Sequence, residues 1–197
     1  ELNIENLKHN VRILREAIPP ACELMAVVKA DAYGHGACAT AAVLNQMEIT
    51  AFAVATVEEG IQLRKHGIRG EILILGYTDV KRVQDLQKYD LTQTLLDFAY
   101  AQALNSRNAA VKTHIKIDTG MHRLGISGEE ISAVRKVFEM KNLKICGIYT
   151  HLCCADSRLP EDIAFTRRQI DSFYRLTDAL KNSGIQLPKL HIQSSYG

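Results

Sequence analysis

The stretch "EILILG", Glu71–Gly76, decides the fold class of this chain. Successive residues of a β-strand point to opposite faces, so four apolar residues in a row must be buried on both faces. Strands of parallel sheets meet this requirement because helices cover the sheet on both sides. The stretch therefore predicts a buried strand of a parallel sheet.

Similar short apolar runs recur along the chain and alternate with segments of helical periodicity. In "SGEEISAVRKVFEM", for example, Ser127 is placed to cap a helix on which Ile131, Val134 and Phe138 share one face. This alternation is typical of parallel strands joined by crossover helices. The predicted strands are Glu23–Lys29, Ala51–Ala55, Glu71–Leu75, Leu91–Leu95, Thr113–Asp118, Lys144–His151 and Lys189–Ser195.

The order of elements predicts an α/β fold of the TIM-like (β/α)8 barrel type, truncated after its seventh strand. Such barrels commonly run to about 250 residues, and this chain has 197. An open barrel would leave the backbone groups of an edge strand unpaired, so we expect the natural protein to continue beyond Gly197. The start at Glu1 without an initiator Met also suggests a piece of a longer chain. Residues 1–197 are thus predicted to be an incomplete barrel domain.

The composition is that of a soluble globular protein. Apolar residues make up 47% of the chain and charged residues 23%, which excludes extensive disorder. The formal net charge is only +2, with Lys and Arg spread among acidic residues, so nucleic acid is not expected as a partner.

The cysteines bear on localisation and on metal binding. The chain has 5 cysteines without the spacing of a disulfide framework, which favours reduced thiols and a cytoplasmic location. His151 precedes the adjacent pair Cys153 and Cys154, a grouping that could suggest zinc. Adjacent strand residues point to opposite faces, however, so no metal site is predicted.

The stretch "MAVVKADAYGHG", Met25–Gly36, leads an apolar strand up to a single lysine. Lys29 would lie at the C-terminal end of the strand, where barrel enzymes have their active sites. Gly34 and Gly36 permit a turn with positive φ, while Tyr33 adds a polar group beside the lysine. The position of Lys29 alone leaves two interpretations open. Its side chain either extends past the rim and keeps its ammonium group in solvent, or it is desolvated and its neutral amine attacks an aldehyde.

This stretch closely resembles the segment that carries the cofactor lysine in the alanine racemases, barrel enzymes that use pyridoxal 5′-phosphate. The resemblance implies that Lys29 holds this cofactor as a Schiff base and that Tyr33 contacts its phosphate. It also implies the activity of the family, racemisation of a small amino acid.

The segment "HIKIDTGMHRLG", His114–Gly125, resembles the strand and loop of the family whose arginine lies near the phenolic oxygen of the cofactor and the substrate. That role falls on Arg123. In many members the lysine that matches Lys116 is carbamylated and orients this arginine. A lysine inside a barrel would otherwise be a costly unpaired charge, and the alternative is a buried ion pair with Asp118 or another acid.

The segment "GIYTHLCCADS", Gly147–Ser157, resembles the part of the family whose histidine packs against the pyridine ring, which implies that role for His151. The two cysteines that follow depart from the family, where small or hydroxylated residues are usual.

The segment "HIQSSYG", His191–Gly197, resembles the family's phosphate-binding loop. The resemblance, together with the tendency of barrels to bind phosphate after strands 7 and 8, predicts that Ser195 and the backbone N–H groups of Tyr196 and Gly197 bind phosphate. Ser194 replaces the usual asparagine, and the alternative is an ordinary serine-rich turn.

The resemblance implies a two-base reaction. Lys29 would serve as the base for the D-enantiomer, and a tyrosine from the C-terminal β-domain of a second subunit would serve the L-enantiomer, which makes the active enzyme a homodimer. The expected reaction converts L-Ala, L-Ser or both to the D-enantiomer for peptidoglycan precursors. The segments "THLCCADS" and "HIQSSYG" further resemble membrane-anchored serine/alanine racemases of vancomycin resistance, which implies a membrane domain before Glu1.

Two other functions of related barrels are weighed against racemisation. A non-catalytic carrier of pyridoxal phosphate would lack the pair "YGHG" and "DTGMHRLG" that this chain has. A decarboxylase of basic amino acids would release carbon dioxide from arginine, lysine or ornithine.

Overall fold

A computed structural model describes residues 3–192, and these residues form two compact units divided between Gln93 and Thr94. Within residues 3–192, no helix combines the length and the apolar character needed to span a bilayer. In the first unit the elements are α1 (Ile4–Ala17), β1 (Met25–Val27), α2 (Lys29–Gly34), α3 (Ala37–Gln46), β2 (Ala51–Val54), α4 (Val57–Lys65), β3 (Glu71–Ile74), a 3-10 turn (Val80–Arg82), α5 (Val83–Lys88) and the start of β4 (Thr92–Leu95).

The strands of the first unit are parallel and follow one another in chain order. Met25 pairs with Ala51, Ala51 pairs in turn with Glu71, and Leu73 pairs with Thr92. Phe52 and Ile72 are completely buried at the centre of this sheet. The burial of consecutive residues of β2 and β3 confirms that both faces of these strands are covered.

The second unit is built around another set of parallel strands. Strand β5 pairs with β7, and β7 pairs with β8, while the two-residue strand β6 also pairs with β5. Its core includes Ile115 on β5, Val134 on α7 and Phe173 on α8, all completely buried. The elements of this unit after β4 are α6 (Phe98–Asn105), β5 (Val111–Asp118), β6 (Ile126–Ser127), α7 (Ile131–Phe138), β7 (Leu143–Tyr149), α8 (Pro160–Asn182) and β8 (Lys189–His191).

All seven predicted strands are present, and most are one to four residues shorter than predicted. The first strand ends at Val27, so Lys29 is not a strand residue; it begins α2 instead. The last strand is described to His191, and the predicted residues 193–195 lie outside the described part of the chain. The strand Ile126–Ser127 was not predicted.

The prediction that Ser127 caps α7 is wrong. The N-cap residue is Glu130, and Ser127 belongs to β6. The hydroxyl group of Ser127 accepts the N–H of Glu129 at 3.3 Å, so it organises the approach to the helix rather than its first turn. The predicted apolar face is present, with Val134 completely buried and Phe138 half-buried.

Arg64, in the last turn of α4, stabilises the loops at one end of the first unit. Its guanidinium group donates hydrogen bonds to four backbone carbonyl groups. The acceptors are Ile68 at 2.9 Å, Gly70 at 2.7 Å, Tyr89 at 2.9 Å and Asp90 at 2.8 Å. Burial lowers the pKa of Arg64 from its ordinary value.

We expect Arg64→Lys to lower the free energy of unfolding by about 2 kcal/mol, because an ammonium group cannot reproduce the planar fork and leaves carbonyl groups unpaired. Urea unfolding followed by circular dichroism measures the change. The exposed Arg69 supplies the matched control, and Arg69→Lys should leave stability nearly unchanged. Equal stability of the two variants would contradict this role of Arg64.

Candidate functional site

Lys29 lies just beyond the C-terminal end of β1. The N–H of Val28 donates to the carbonyl group of Ala53 at 2.9 Å, which continues the pairing between β1 and β2 by one residue. Val28 is buried at 3% exposure, whereas Lys29 is half-buried. Lys29 therefore lies near the carboxyl end of a parallel strand, as predicted, but it belongs to the turn that follows the strand.

The segment after Lys29 has an unusual backbone. Ala30, Asp31, Ala32 and Tyr33 all have φ between 50° and 57°, so they form one left-handed helical turn of four non-glycine residues. Each such residue costs about 1–2 kcal/mol relative to the right-handed form. The positive φ predicted for the glycines is present, at 88° for Gly34 and 84° for Gly36. The left-handed conformation of the four residues before them was not predicted.

Several polar contacts hold this turn. The N–H of Ala30 donates to Glu59 Oε1 at 2.8 Å, and the N–H of Ala55 donates to Glu59 Oε2 at 2.6 Å. At the other end of the turn, Asp31 Oδ1 accepts the N–H of Ala37 at 2.7 Å. Strain of this kind persists only where the surrounding structure holds it, and it is often found at functional sites.

Sequence reasoning missed Glu59, although a signal for it exists. Thr56 and Glu59 have the spacing of a capping box, in which the glutamate would bind the N–H of the N-cap residue. Thr56 does cap α4, since its hydroxyl group accepts the N–H of Glu59 at 3.3 Å. The Glu59 carboxylate, however, binds Ala55 and the distant Ala30 instead.

In the second unit, Lys116 lies on β5 and is 6% exposed. Its Nζ atom donates to the carbonyl group of Ile117 at 3.0 Å and lies 5.3 Å from the centre of the Tyr149 ring. Burial lowers the pKa of Lys116 to about 8, and the positive charge of Arg123 acts in the same direction. Asp118 opposes this shift without reversing it.

The alternative of a direct ion pair between Lys116 and Asp118 is wrong. Asp118 Oδ1 accepts the N–H groups of Gly120 at 2.9 Å and of His122 at 3.0 Å, and Asp118 Oδ2 lies 3.1 Å from His122 Nδ1. Burial opposes ionisation of Asp118, but these two N–H donors and the His122 side chain together prevail and lower its pKa. Among the described residues, Lys116 has no acidic partner within ion-pair distance.

Arg123 is exposed on the loop that Asp118 organises. Gly125 closes this loop with φ of 121°, and a side chain there would bring its Cβ atom to 2.7 Å from the backbone nitrogen of Asp118. Arg123 is close enough to Lys116 and Tyr149 for its charge to favour the neutral form of the former and the ionised form of the latter. The structure therefore brings Lys116 and Arg123 into one electrostatic environment.

A buried aromatic network, which sequence reasoning missed, lies beside Lys116. Tyr149 stacks on His191 with ring centres 4.6 Å apart, and His191 Nε2 lies 2.9 Å from His114 Nδ1. The Tyr149 hydroxyl group is 3.1 Å from Thr94 Oγ1, and burial raises the pKa of Tyr149 to about 12. A Cβ atom on Gly147 would lie 2.5 Å from the His114 ring, so glycine makes room for this histidine.

His151 follows β7 and is half-buried. Its carbonyl group accepts a hydrogen bond from Gln169 Nε2 at 3.2 Å, and the same amide group donates to Thr119 Oγ1 at 3.2 Å. Gln169 Oε1 accepts the N–H of Cys153 at 3.2 Å. The buried Gln169 on α8 thus connects the loops after β5 and β7, a role that sequence reasoning did not find.

Ser195 and Gly197 lie outside the described residues. Within residues 3–192, no group of three or more His, Cys, Asp or Glu side chains is arranged to hold a metal ion. The Sγ atoms of Cys153 and Cys154 lie 3.8 Å apart.

Curated relatives of this chain are racemases. An amino-acid racemase of Enterococcus faecalis is 51% identical over 197 residues, which are 100% of this chain and 28% of the relative. A serine/alanine racemase of Enterococcus gallinarum is 44% identical over 191 residues, 97% of this chain and 27% of the relative. This chain therefore spans less than a third of the length of these two relatives.

Solved structures agree with the sequence comparisons. The alanine racemase of Clostridium difficile 630 superimposes with a TM-score of 0.92 at 31% identity, covering 99% of this chain and 55% of that protein. The predicted fold class, a TIM-like barrel truncated after its seventh strand, is thereby confirmed. A sequence profile described as "Alanine racemase, N-terminal domain" matches residues 2–197. The chain belongs to the alanine racemase N-terminal domain family.

Proposed function

We propose that this chain is the N-terminal catalytic part of a pyridoxal 5′-phosphate-dependent racemase that acts on alanine, serine or both. The observation that carries the proposal is Lys29, which follows a parallel strand at its carboxyl end and begins a strained left-handed turn. The names of the relatives support racemisation and favour neither the carrier nor the decarboxylase of basic amino acids.

The residues present fit the proposed cofactor. Lys29 supplies an amine for covalent attachment, and Tyr33, 63% exposed at the end of the turn, supplies a phenolic hydroxyl group for the phosphate. The exposed Val27 adds an apolar surface two residues before the lysine. When bound, the cofactor would supply delocalisation of the charge left after loss of the Cα proton. Phosphate binding by Ser195 and the Gly197 backbone remains a prediction.

In this proposal Lys29 is a general base that takes or returns the Cα proton of the D-enantiomer. Arg123 would hold the substrate carboxylate region and the phenolic oxygen of the cofactor by charge-assisted hydrogen bonds. His151 would pack against the pyridine ring. The L-enantiomer requires a base on the opposite face, for which we propose a tyrosine of a second subunit in a homodimer.

The chemical environment of Lys116 supports its proposed carbamylation. Carbamate formation needs the neutral amine, which attacks carbon dioxide and releases a proton. A pKa of about 8 makes this form accessible near neutral pH. The product replaces a buried cation beside Arg123 by an anion, which removes the repulsion between the two side chains. The carbamate would then orient Arg123.

The biological setting of the reaction also remains a proposal. A D-amino acid from this enzyme would enter peptidoglycan precursors, and the proposal extends to vancomycin resistance on the resemblance of the segments "THLCCADS" and "HIQSSYG". A cytoplasmic location of the barrel, joined to a membrane domain in the whole protein, stays a prediction from the sequence.

The covalent link to Lys29 is tested by reduction. We expect the full-length protein to be yellow with bound pyridoxal phosphate, and borohydride should fix the cofactor on the peptide that contains Lys29. Mass spectrometry of a digest identifies the labelled residue, and Lys29→Ala should lose the label. A label on another lysine would contradict the assignment.

Arg123→Lys should retain the cofactor and lose most of its turnover, because an ammonium group lacks the planar two-donor geometry of guanidinium. A loss of about 2–4 kcal/mol of transition-state stabilisation corresponds to a roughly 30- to 1,000-fold lower kcat. Steady-state racemisation assays measure it. Arg135→Lys, on the exposed side of α7, is the control and should behave as the wild type; unchanged kinetics of Arg123→Lys would remove Arg123 from the site.

Carbamylation of Lys116 should increase with pH. With a pKa of about 8, the neutral amine makes up roughly a tenth of the population at pH 7 and about half at pH 8. Because carbamate formation also releases a proton, the carbamate signal in the NMR spectrum, at a fixed and subsaturating pressure of carbon-13-labelled carbon dioxide, should be more than about tenfold larger at pH 8. Lys116→Met should abolish the signal. A spectrum without this signal in the wild type would favour a plain buried lysine.

A further inference from the structure

We propose that Glu59 is a positioning residue for Lys29: its carboxylate holds the left-handed turn in the conformation that presents the lysine. The inference rests on the proposed function of Lys29 for its catalytic meaning, but the clamp itself is a property of the chain. Glu59 would not contact substrate. It would act through the backbone that immediately follows the lysine.

The carboxylate joins two backbone segments that follow neighbouring strands. Glu59 Oε1 accepts the N–H of Ala30, the residue after Lys29, at 2.8 Å. Glu59 Oε2 accepts the N–H of Ala55, the residue after β2, at 2.6 Å. Both oxygens are thus used on peptide groups at the carboxyl ends of paired parallel strands. N–H groups that donate to a carboxylate form stronger hydrogen bonds than those that donate to a neutral acceptor.

The turn depends on contacts of this kind because its own sequence disfavours its conformation. Ala30 to Tyr33 are left-handed without being glycine. Within the turn, Ala32 donates to the carbonyl group of Val28 at 3.0 Å, and Gly36 donates to that of Asp31 at 2.9 Å. Neither of these two bonds uses the N–H of Ala30, at the start of the turn. The Glu59 carboxylate accepts that N–H. The clamp therefore acts where Lys29 enters the strained segment.

The location of Glu59 suits a carboxylate that binds backbone N–H groups. It lies in the first turn of α4, where the N-terminal end of the helix dipole stabilises negative charge. The Glu59 side chain is half-buried; its bond to the N–H of Ala55 is partly shielded from solvent, and its bond to the N–H of Ala30 is exposed. Its neighbour Glu58 is exposed and instead pairs with Arg82. Glu58 is therefore a matched control of the same residue type in the same helical turn.

The first test uses the full-length protein without cofactor, so that its result does not depend on the proposed function. Glu59→Gln retains one acceptor oxygen and turns an NH2 group toward the second N–H donor. We expect amide hydrogen exchange at Ala30 or Ala55 to be at least about tenfold faster than in the wild type. Exchange of the Ile72 amide in β3 should be unchanged, as should all three rates in Glu58→Gln.

The second test uses the protein loaded with pyridoxal phosphate. Glu59→Gln should lower kcat about tenfold or more with little change in KM, and should speed release of the cofactor. The pH at which the visible absorbance of the bound cofactor changes should also shift, because the lysine is held differently. Glu59→Asp keeps the carboxylate but is one methylene shorter, so it cannot reach both N–H groups and should show the same changes. Glu58→Gln should match the wild type in every measurement.

The outcomes separate the two proposals. Unchanged amide exchange in Glu59→Gln would overturn the clamp, as would faster exchange with kinetics, cofactor release and absorbance all unchanged. A wild-type protein that takes up no cofactor would refute the proposed function; faster exchange in the variant would then still support the clamp on the turn. Faster exchange together with the altered cofactor properties supports the whole inference.

Discussion

The bonds from Ala30 and Ala55 to the Glu59 carboxylate set the geometry of the first unit at the carboxyl ends of β1 and β2. Four non-glycine residues in the left-handed conformation carry a combined cost of several kcal/mol. No local propensity offsets such a cost, so tertiary contacts must do so. A carboxylate is suited to this because it accepts two backbone N–H groups at once and lies at a helix N-terminus that favours its charge. The position of Lys29 follows from this arrangement.

In the second unit, the corresponding constraint is the burial of Lys116. Lowering its pKa from 10.5 to about 8 corresponds to about 3 kcal/mol against the charged form. The charge of Asp118 opposes this shift only in part, and its carboxylate faces other groups: Oδ1 accepts the N–H groups of Gly120 and His122, and Oδ2 lies beside His122 Nδ1. The acid thus shapes the loop that carries Arg123 and leaves the lysine without a direct counter-ion among the described residues. Because Asp118 binds the loop and not the lysine, the surroundings of Lys116 favour chemistry that removes its positive charge.

The sequence predicted the strands because burial on both faces leaves a continuous apolar run, and β2 and β3 show it clearly. It also placed Lys29 at a strand end. It could not predict the left-handed turn, since Ala and Tyr carry no local signal for positive φ and a single Asp does not indicate four such residues in a row. The role of the Glu59 carboxylate was missed because a capping-box spacing predicts a bond to Thr56, whereas the carboxylate binds Ala55 and also Ala30, which lies 29 residues away. Gln169 was missed for the same reason, because its partner Thr119 is 50 residues away.

Glu59, Asp118 and Gln169 share one physical role. Each is a polar side chain with limited solvent exposure that binds backbone N–H groups of a loop following a parallel strand. Such bonds are insensitive to the identity of the loop side chains, so they fix the backbone while the loop side chains remain available for chemistry. Lys29 and Arg123 both lie on loops held in this way. The precision of the candidate site therefore depends less on the residues that would touch a substrate than on carboxylates and an amide that bind only the chain itself.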